Sequence, residues 1–379
     1  MKFVYICIAV FAVIGLPVRT EAAEFTYEKN IGNPRIVEEQ WADFLEALPE
    51  DVGEEAKNLD LADGEGIRSK IGFTYWIGRI ADGISDAAGD MLPGITRILS
   101  VILFSAAVEL SIENSPSVGL LKSFRMLSNL AVSVMLFGAT ERIMNGASMY
   151  LKRICGVMNT LTPVMEGIYL AEGNLTQKAV TTEAVMIAVT LIGNFSGKIL
   201  APMTNLLFTL ACLGGVCPDV KISGFTGGIR KLIMRLWQFG TLLFSFLLSM
   251  QSILAKSADS LAAKTARFAI GSFIPVAGGV IAEAFSTLKE GMAVLKNAAG
   301  VGGIIVILLI LVWGITPMVL YKCSLALSET AAEMLSLGGI RGMLGEIHGI
   351  VDLLFAFVLY TSLMFVLVIV IFTKAQAGG

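Results

Sequence analysis

The amino-acid sequence predicts an all-α protein: a polytopic integral membrane helical bundle of six or seven spans, with amphipathic or re-entrant helices. Of the 379 residues, 55% are hydrophobic and 16% are charged, whereas about 25% of residues are charged in an average soluble domain. Lipid can solvate an apolar surface that a soluble fold of this size could not bury. The apolar residues also form runs that approach the roughly 20 residues of a membrane crossing.

Residues 1–23 have the pattern of a signal peptide. Lys2 supplies a positive start, an apolar run follows at 3–18, and Ala22 and Ala23 provide small residues for cleavage. An uncleaved anchor helix is the alternative interpretation. Both interpretations predict that the following segment is extracytoplasmic.

Residues 24–66 form an acidic segment that contains one predicted amphipathic helix. Asn33-Pro34 suits a helix start, because proline is tolerated at the first helical position. Apolar residues then recur at three- and four-residue spacing, as on one face of a helix: Val37, Trp41, Phe44, Leu45 and Leu48. This stripe either packs on the chain's own membrane domain or docks another protein. The rest of the segment is predicted to be a tether.

Residues 67–379 are predicted to form the polytopic membrane domain. The clearest spans are 232–254, 301–320 and 350–372, followed by 92–112, 127–143 and 199–216, and the weakest is 180–193. Basic residues in short loops should lie on the cytoplasmic side. Neither the six-span nor the seven-span count satisfies this rule at every loop, so the orientation stays open.

Two further stretches, 71–88 and 280–297, are amphipathic rather than spanning. The second is flanked by a motif whose proline and glycines predict breaks in the helix. The motif consists of Phe273, Pro275, Gly278, Gly279, Gly300, Gly302 and Gly303. A broken apolar segment at membrane depth must be shielded by protein or water. The stretch is therefore a re-entrant element with a structural or pore role, or a helix on the membrane surface.

Glu183 is the intramembrane polar residue that best fits a polar cavity, because it lies within the predicted span 180–193. Ionisable residues inside a membrane are costly and often functional. Other charged residues of the spans lie close enough to span ends for their side chains to reach the interface. Such snorkelling is the alternative reading for an intramembrane charge.

No pattern of catalytic, metal-binding or cofactor-binding residues stands out. His348 is the only histidine, and the sequence has no GxSxG, HExxH or Walker A pattern. A zinc site needs four converging ligands, and nucleic-acid binding needs clustered Lys and Arg on a soluble face. The sequence therefore predicts a protein that is not an enzyme, has no cofactor and binds membrane lipid rather than nucleic acid.

The stretch from 256 to 306 resembles a known family. Phe273-Ile-Pro-Val-Ala-Gly-Gly279 and the following residues 296–300 are similar to the signature of the stage III sporulation protein AE family. The signal peptide, the acidic segment and the order of spans agree with that family over nearly the whole chain. The family has no catalytic residues to carry over.

The resemblance implies a role in endospore formation, in the mother-cell membrane around the forespore. It implies a channel complex required for late forespore gene expression. The implied partners are other proteins of the stage III sporulation A operon, stage II sporulation protein Q, an Oxa-type membrane insertase and further copies of this chain. Two alternatives remain: a stand-alone secondary transporter that uses Glu183 and the Pro275 region, and a membrane scaffold that recruits partners without conducting.

Overall fold

The computed structural model describes residues 34–59, 73–113, 118–171, 175–216, 223–273 and 278–374, with the backbone alone over 251–298. These residues contain helices and no strand. In chain order the helices are α1 Pro34–Glu46, α2 Glu50–Leu59, α3 Phe73–Glu113, α4 Val118–Ala171, α5 Leu175–Asn194, a π-helical segment Phe195–Leu200, α6 Ala201–Val216, α7 Ser223–Phe273, α8 Gly278–Met334 and α9 Gly338–Lys374. The predicted all-α fold is confirmed.

Within the described residues, six helical stretches are long and apolar enough to cross a membrane, which confirms a polytopic membrane protein. They are Leu92–Ile112, Gly119–Leu170, Lys178–Val216, Gly224–Met250, Ala299–Met334 and Gly338–Thr373. The predicted spans 180–193 and 199–216 are not separate, because the π-helical segment joins α5 to α6 without a loop. Pro202 explains this wider turn: it lacks an N–H and its ring crowds the carbonyl one turn earlier.

Several predicted helix breaks and loops are continuous helix in the structure. α8 runs unbroken through Gly300, Gly302 and Gly303, so the break predicted there is wrong. α3 joins the predicted amphipathic stretch 71–88 to the span 92–112, with Pro93 inside the helix. Glycine lowers helix stability but does not forbid a helix, and neighbouring helices can hold a proline within one.

In its described part, residues 34–59, the acidic N-terminal segment forms two helices rather than the one predicted. α1 is confirmed as an amphipathic helix, with Val37, Trp41 and Phe44 buried. The prediction that the remainder is a tether is wrong for α2, whose Val52, Ala56 and Leu59 are also buried. The α1 stripe packs on α4 and α8 of the same chain, which agrees with the first of its two interpretations.

α8 and α9 form a closely packed antiparallel pair. Two residues after α8 ends at Met334, Ser336 adopts the left-handed region with φ of 58°. The N–H of Leu337 donates to the carbonyl of Ala332 at 2.9 Å, and the N–H of Ser336 donates to that of Glu333 at 3.0 Å. This Schellman closure satisfies the last carbonyls of α8 and turns the chain back within three residues.

α8 extends well beyond the end of α9. Gly300 of α8 lies against Thr373, one residue before α9 ends at Lys374. Because the two helices are antiparallel, residues 278–299 continue past that end by about 33 Å, at 1.5 Å per residue. α7 runs parallel to α9, because Thr226 bonds Glu346 and Gln238 bonds Tyr360, so its residues up to Phe273 continue past the same end. We call these extensions of α7 and α8 the α7–α8 hairpin.

Candidate functional site: the α7–α8 hairpin and the polar contacts of the bundle

The predicted structural or pore motif is divided between the tip and the base of the α7–α8 hairpin. Phe273 is the last residue of α7, and Gly278 and Gly279 are the first residues of α8. Pro275 lies outside the described residues. Phe273, Gly278 and Gly279 lie at the C-terminal end of α7 and the N-terminal end of α8, which we call the tip of the hairpin.

The glycines at the base of the hairpin let α8 approach its neighbours closely. A Cβ on Gly303 would lie 2.9 Å from Leu161 Cδ2 of α4 and 3.2 Å from Ile369 Cδ1 of α9. A Cβ on Gly300 would collide with the side chain of Thr373. Gly300, Gly302 and Gly303 are buried. Small residues at such crossings let membrane helices pack by van der Waals contact.

Glu183 lies on the outward side of α5 and not among these glycines. It is exposed, as are Met186 and Ile187 one turn further along. The half-buried carboxylate nearby belongs instead to Glu166 of α4. That side chain accepts a hydrogen bond from Thr182 at 2.6 Å and pairs with Lys178 at 3.5 Å.

A polar cluster that the sequence analysis missed joins the start of α7 to the start of α9. Arg230 Nη2 lies 3.2 Å from Glu346 Oε2, and Arg230 Nη1 donates to the backbone carbonyl of Glu346 at 2.7 Å. Thr226 donates to the same carboxylate at 2.6 Å. Gly349 leaves room for the guanidinium. The glycines at 345 and 349, four residues apart around Glu346, were the signal available in the sequence.

His348 extends this polar region toward α8. Its Nδ1 lies 3.7 Å from Glu329 Oε2, and both side chains are about 30% exposed. In the described parts of the chain, no three His, Cys, Asp or Glu side chains are grouped so as to hold a metal ion. The contact is therefore one between helices, without a further ligand to build a metal centre.

Interior hydrogen bonds hold α4 in register with three other helices. Asn129 Nδ2 donates to the carbonyl of Gly215 in α6 at 2.5 Å. Thr140 and Tyr321 share a hydrogen bond of 2.8 Å between α4 and α8, and a further one joins Tyr150 to Ser362 of α9. Such bonds between membrane helices contribute about 1 kcal/mol each.

A separate polar contact fastens α2 to the start of α3. Tyr75 donates a hydrogen bond to Glu55 at 2.7 Å, and Arg79 pairs with the same carboxylate. Burial and the contact with Glu55 raise the pKa of Tyr75 from 10.0 to about 12. Burial lowers the pKa of Arg79, but the hydrogen bonds to Glu55 and Tyr75 outweigh it, so its pKa is raised. Tyr75 therefore stays neutral and Arg79 stays charged at physiological pH.

Comparison with known proteins identifies the family of this chain. The family model described as stage III sporulation protein AE matches residues 97–376. The protein of that name from Bacillus subtilis (strain 168) is 21% identical over 231 residues, which cover 61% of this chain and 58% of the relative. The chain thus matches less than two thirds of that relative's length. No solved structure matches.

Proposed function

Because the chain belongs to the stage III sporulation protein AE family, we propose that it is a non-enzymatic membrane component of a channel complex between mother cell and forespore, required for late forespore gene expression. The observation that carries this proposal is the family match over 97–376, which spans most of the six membrane-crossing stretches. The protein is a multi-pass sporulation membrane protein. Its place in the mother-cell membrane around the forespore is part of the proposal.

The packing of the bundle supports a passage formed between chains rather than within one. Val132, Leu136, Leu151, Ile154 and Leu161 follow the inner face of α4, and each is fully buried. Close-packed aliphatic side chains leave no room for a hydrated path along that face. A passage would instead be bordered by outer faces, from copies of this chain or from partner proteins.

The outer face of α1 and α2 is the surface that we assign to partner proteins. Its exposed carboxylates are Glu38, Glu39, Asp43, Glu46, Glu50 and Glu54. Since the apolar stripe of α1 is already buried on the chain's own bundle, contact with a partner would use these acidic groups. The partners proposed are the other stage III sporulation A proteins, stage II sporulation protein Q and an Oxa-type insertase.

Gene deletion with complementation tests the proposed function. We expect deletion to leave forespore engulfment complete and to abolish late forespore transcription, measured with a reporter gene and by spore counts. The native gene should restore both readouts. Normal spores from the deletion strain would contradict the proposal. Transport of a small solute by the purified protein alone in liposomes would favour the stand-alone transporter instead.

A charge-reversal variant distinguishes the proposal of a channel component from the scaffold interpretation. Glu38, Glu39 and Asp43 are exposed, so their replacement by lysine leaves the buried stripe of α1 intact. We expect this variant to insert normally but to co-purify with fewer stage III sporulation A proteins. If these exchanges abolish sporulation while variants of the hairpin glycines leave it unchanged, the scaffold interpretation is favoured.

A further inference from the structure

An apolar groove of about 180 Å³ lies between α5 and α7, beside the π-helical segment. Ala188 and Ile192 of α5 line one wall, and Trp237 and Gly240 of α7 line the other. The buried side chain of Met364 of α9 also contributes to the lining. None of the described lining residues is charged. The groove is therefore suited to an apolar group.

The groove follows from small residues and from the path of the chain after the π-helical segment. Phe195, the first residue of that segment, packs against Trp237 and Phe357, with ring centroids 4.6 Å and 4.8 Å away. α5 packs closely on α7, but α6 packs mainly on α9 and α4 and makes few contacts with α7. Ala188 and Gly240 have little or no side chain to fill the space between the walls. The groove thus stays open between well-packed helices.

The groove is continuous with the apolar outer surface of the same helices. Phe239 lines the groove and is 48% exposed, and Leu242 close to it is 70% exposed. On α5, Met186 and Ile187 lie next to the lining residue Ala188, and both are more than half exposed. All five belong to helical stretches that are long and apolar enough to cross a membrane. Lipid that solvates this outer surface can therefore enter the groove.

We propose that this groove binds one acyl chain of a membrane phospholipid, which lies against the rings of Phe195 and Trp237. Purely apolar cavities do not retain water, and an engineered one of roughly 150 Å³ in another protein stays dry and binds benzene. A groove of about 180 Å³ holds a comparable part of one acyl chain. The chain supplies dispersion contacts that the lining atoms lack when the groove is empty.

An acyl chain fits the groove better than a partner helix does. An α-helix with its side chains is about 10 Å across, which is too wide for a space of about 180 Å³ between helices that pack on each other. The exposed Lys198 and Arg235 adjoin the groove in sequence, and their long side chains can extend to the membrane interface. Because no described lining residue is charged, the lipid headgroup stays outside and the site selects for the chain.

Phospholipids with brominated acyl chains test this site, because bromine quenches the fluorescence of an indole that it contacts. The full-length chain has four tryptophans. Replacing three of them by phenylalanine, at Trp41, Trp76 and Trp313, leaves Trp237 as the reporter. In vesicles of brominated phosphatidylcholine, we expect strong quenching of Trp237.

Filling the groove should protect the reporter. Gly240→Leu should lower the quenching about twofold, because its side chain takes the space of the acyl chain. Ala188→Leu on the opposite wall should act in the same way. The matched control is Gly138→Leu on the outward face of α4, where nothing lies within 4 Å of the new Cβ, and it should leave the quenching unchanged.

Native mass spectrometry provides a second measurement that needs no tryptophan replacement. We expect one phospholipid to stay bound after detergent has removed the others. Gly240→Leu should reduce its retention about fivefold, because the dispersion contacts within the groove are lost. Gly138→Leu should retain it fully. Phosphatidylcholine and phosphatidylglycerol of equal chain length should be retained alike, since the headgroup stays outside.

Three results would overturn the proposal. The first is quenching of Trp237 that neither Gly240→Leu nor Ala188→Leu lowers. The second is a strong preference for one headgroup, because the lipid would then be held outside the groove. The third is a loss of dimers rather than of lipid in Gly240→Leu, which would assign the groove to a side chain of a second copy.

Discussion

The two halves of α4 differ in their outer faces although they belong to one helix. In the N-terminal half, Leu127, Leu130 and Val134 are 65%, 51% and 69% exposed. In the C-terminal half, Leu161 and Tyr169 are fully buried. The first half turns apolar side chains outward, where lipid is the solvent, and the second half places them among α1, α8 and α9.

This difference explains why hydropathy located only half of the helix. The N-terminal half matches the predicted span 127–143 because lipid contact requires a nearly uninterrupted apolar surface. The C-terminal half contains Lys152 and Arg153, and no predicted span covers it. It is a helix because neighbouring helices bury one face, and only the other face has to tolerate charge. Lipid and protein thus stabilise the same helix through different contacts.

The largest expected effect is a cavity in the C-terminal half of α4. Leu161→Ala should lower the free energy of unfolding by about 2–5 kcal/mol, because a fully buried side chain leaves a void. Its matched control is Leu130→Ala on the outward face, with an expected change within about 0.5 kcal/mol. Unfolding in detergent micelles measures both. Equal losses would contradict the difference between the halves.

A charge on the N-terminal half tests whether lipid is its solvent. Leu130→Lys should disfavour membrane insertion by about 3 kcal/mol, because lysine within a span is costly. Asn145→Lys, at an exposed position beyond the predicted span, is the control and should insert normally. The membrane-bound fraction after expression measures insertion. Unimpaired insertion of the Leu130 variant would place that face in water.

Smaller changes in stability, of opposite sign for two glycines, are expected where α8 closely approaches α4. Gly303→Ala should lower the free energy of unfolding by about 1–3 kcal/mol, because the new methyl group presses on Leu161 and Ile369. Gly146→Ala has open space and should stabilise by up to about 1 kcal/mol, since alanine favours a helix over glycine.

A double variant identifies the contact responsible. Leu161→Ala removes the atom nearest the new methyl group, so the losses of Gly303→Ala and Leu161→Ala should be less than additive. Additive losses would indicate that Gly303 is intolerant for another reason, such as its contact with Ile369.

The N-terminal helices that cover the C-terminal half of α4 depend partly on Glu55. Glu55→Gln should weaken the anchoring of α2 by about 1 kcal/mol, because it removes the charge that Arg79 pairs with. Glu54→Gln, exposed on the same helix, is the control. Hydrogen exchange of the α2 amides reports local opening. Equal exchange in the two variants would show that the ion pair contributes nothing measurable.

Alkaline pH should loosen the same contact gradually. The pKa of Tyr75 is raised from 10.0 to about 12 in the folded chain. Its contribution to stability is therefore complete below pH 10 and is lost as pH rises toward 12, since the unfolded phenol ionises first. Tyr75→Phe should remove this part of the pH dependence of α2 exchange. An unchanged profile would exclude Tyr75 as its source.

A local sequence pattern can indicate some features of the predicted sites, but it cannot indicate those that depend on contacts between helices. The end of α7 at Phe273 and the start of α8 at Gly278 are local properties, because proline and glycine disfavour a helix within a few residues. The role of Gly300 and Gly303 is not local, since a glycine that breaks a helix and a glycine that packs against one look alike in sequence. Arg230 and Glu346 are 116 residues apart, so only the fold could bring them together.

The sequence by itself determined that this chain is a helical membrane protein of a sporulation family, because hydropathy and a signature are properties of the residues in order. It also determined the amphipathic face of α1. The tertiary structure alone decided which segments between the predicted spans are helix, which glycines serve close packing and which charged residues pair between helices. Those outcomes depend on contacts between residues distant in sequence, where a neighbouring helix supplies the burial that the local pattern lacks.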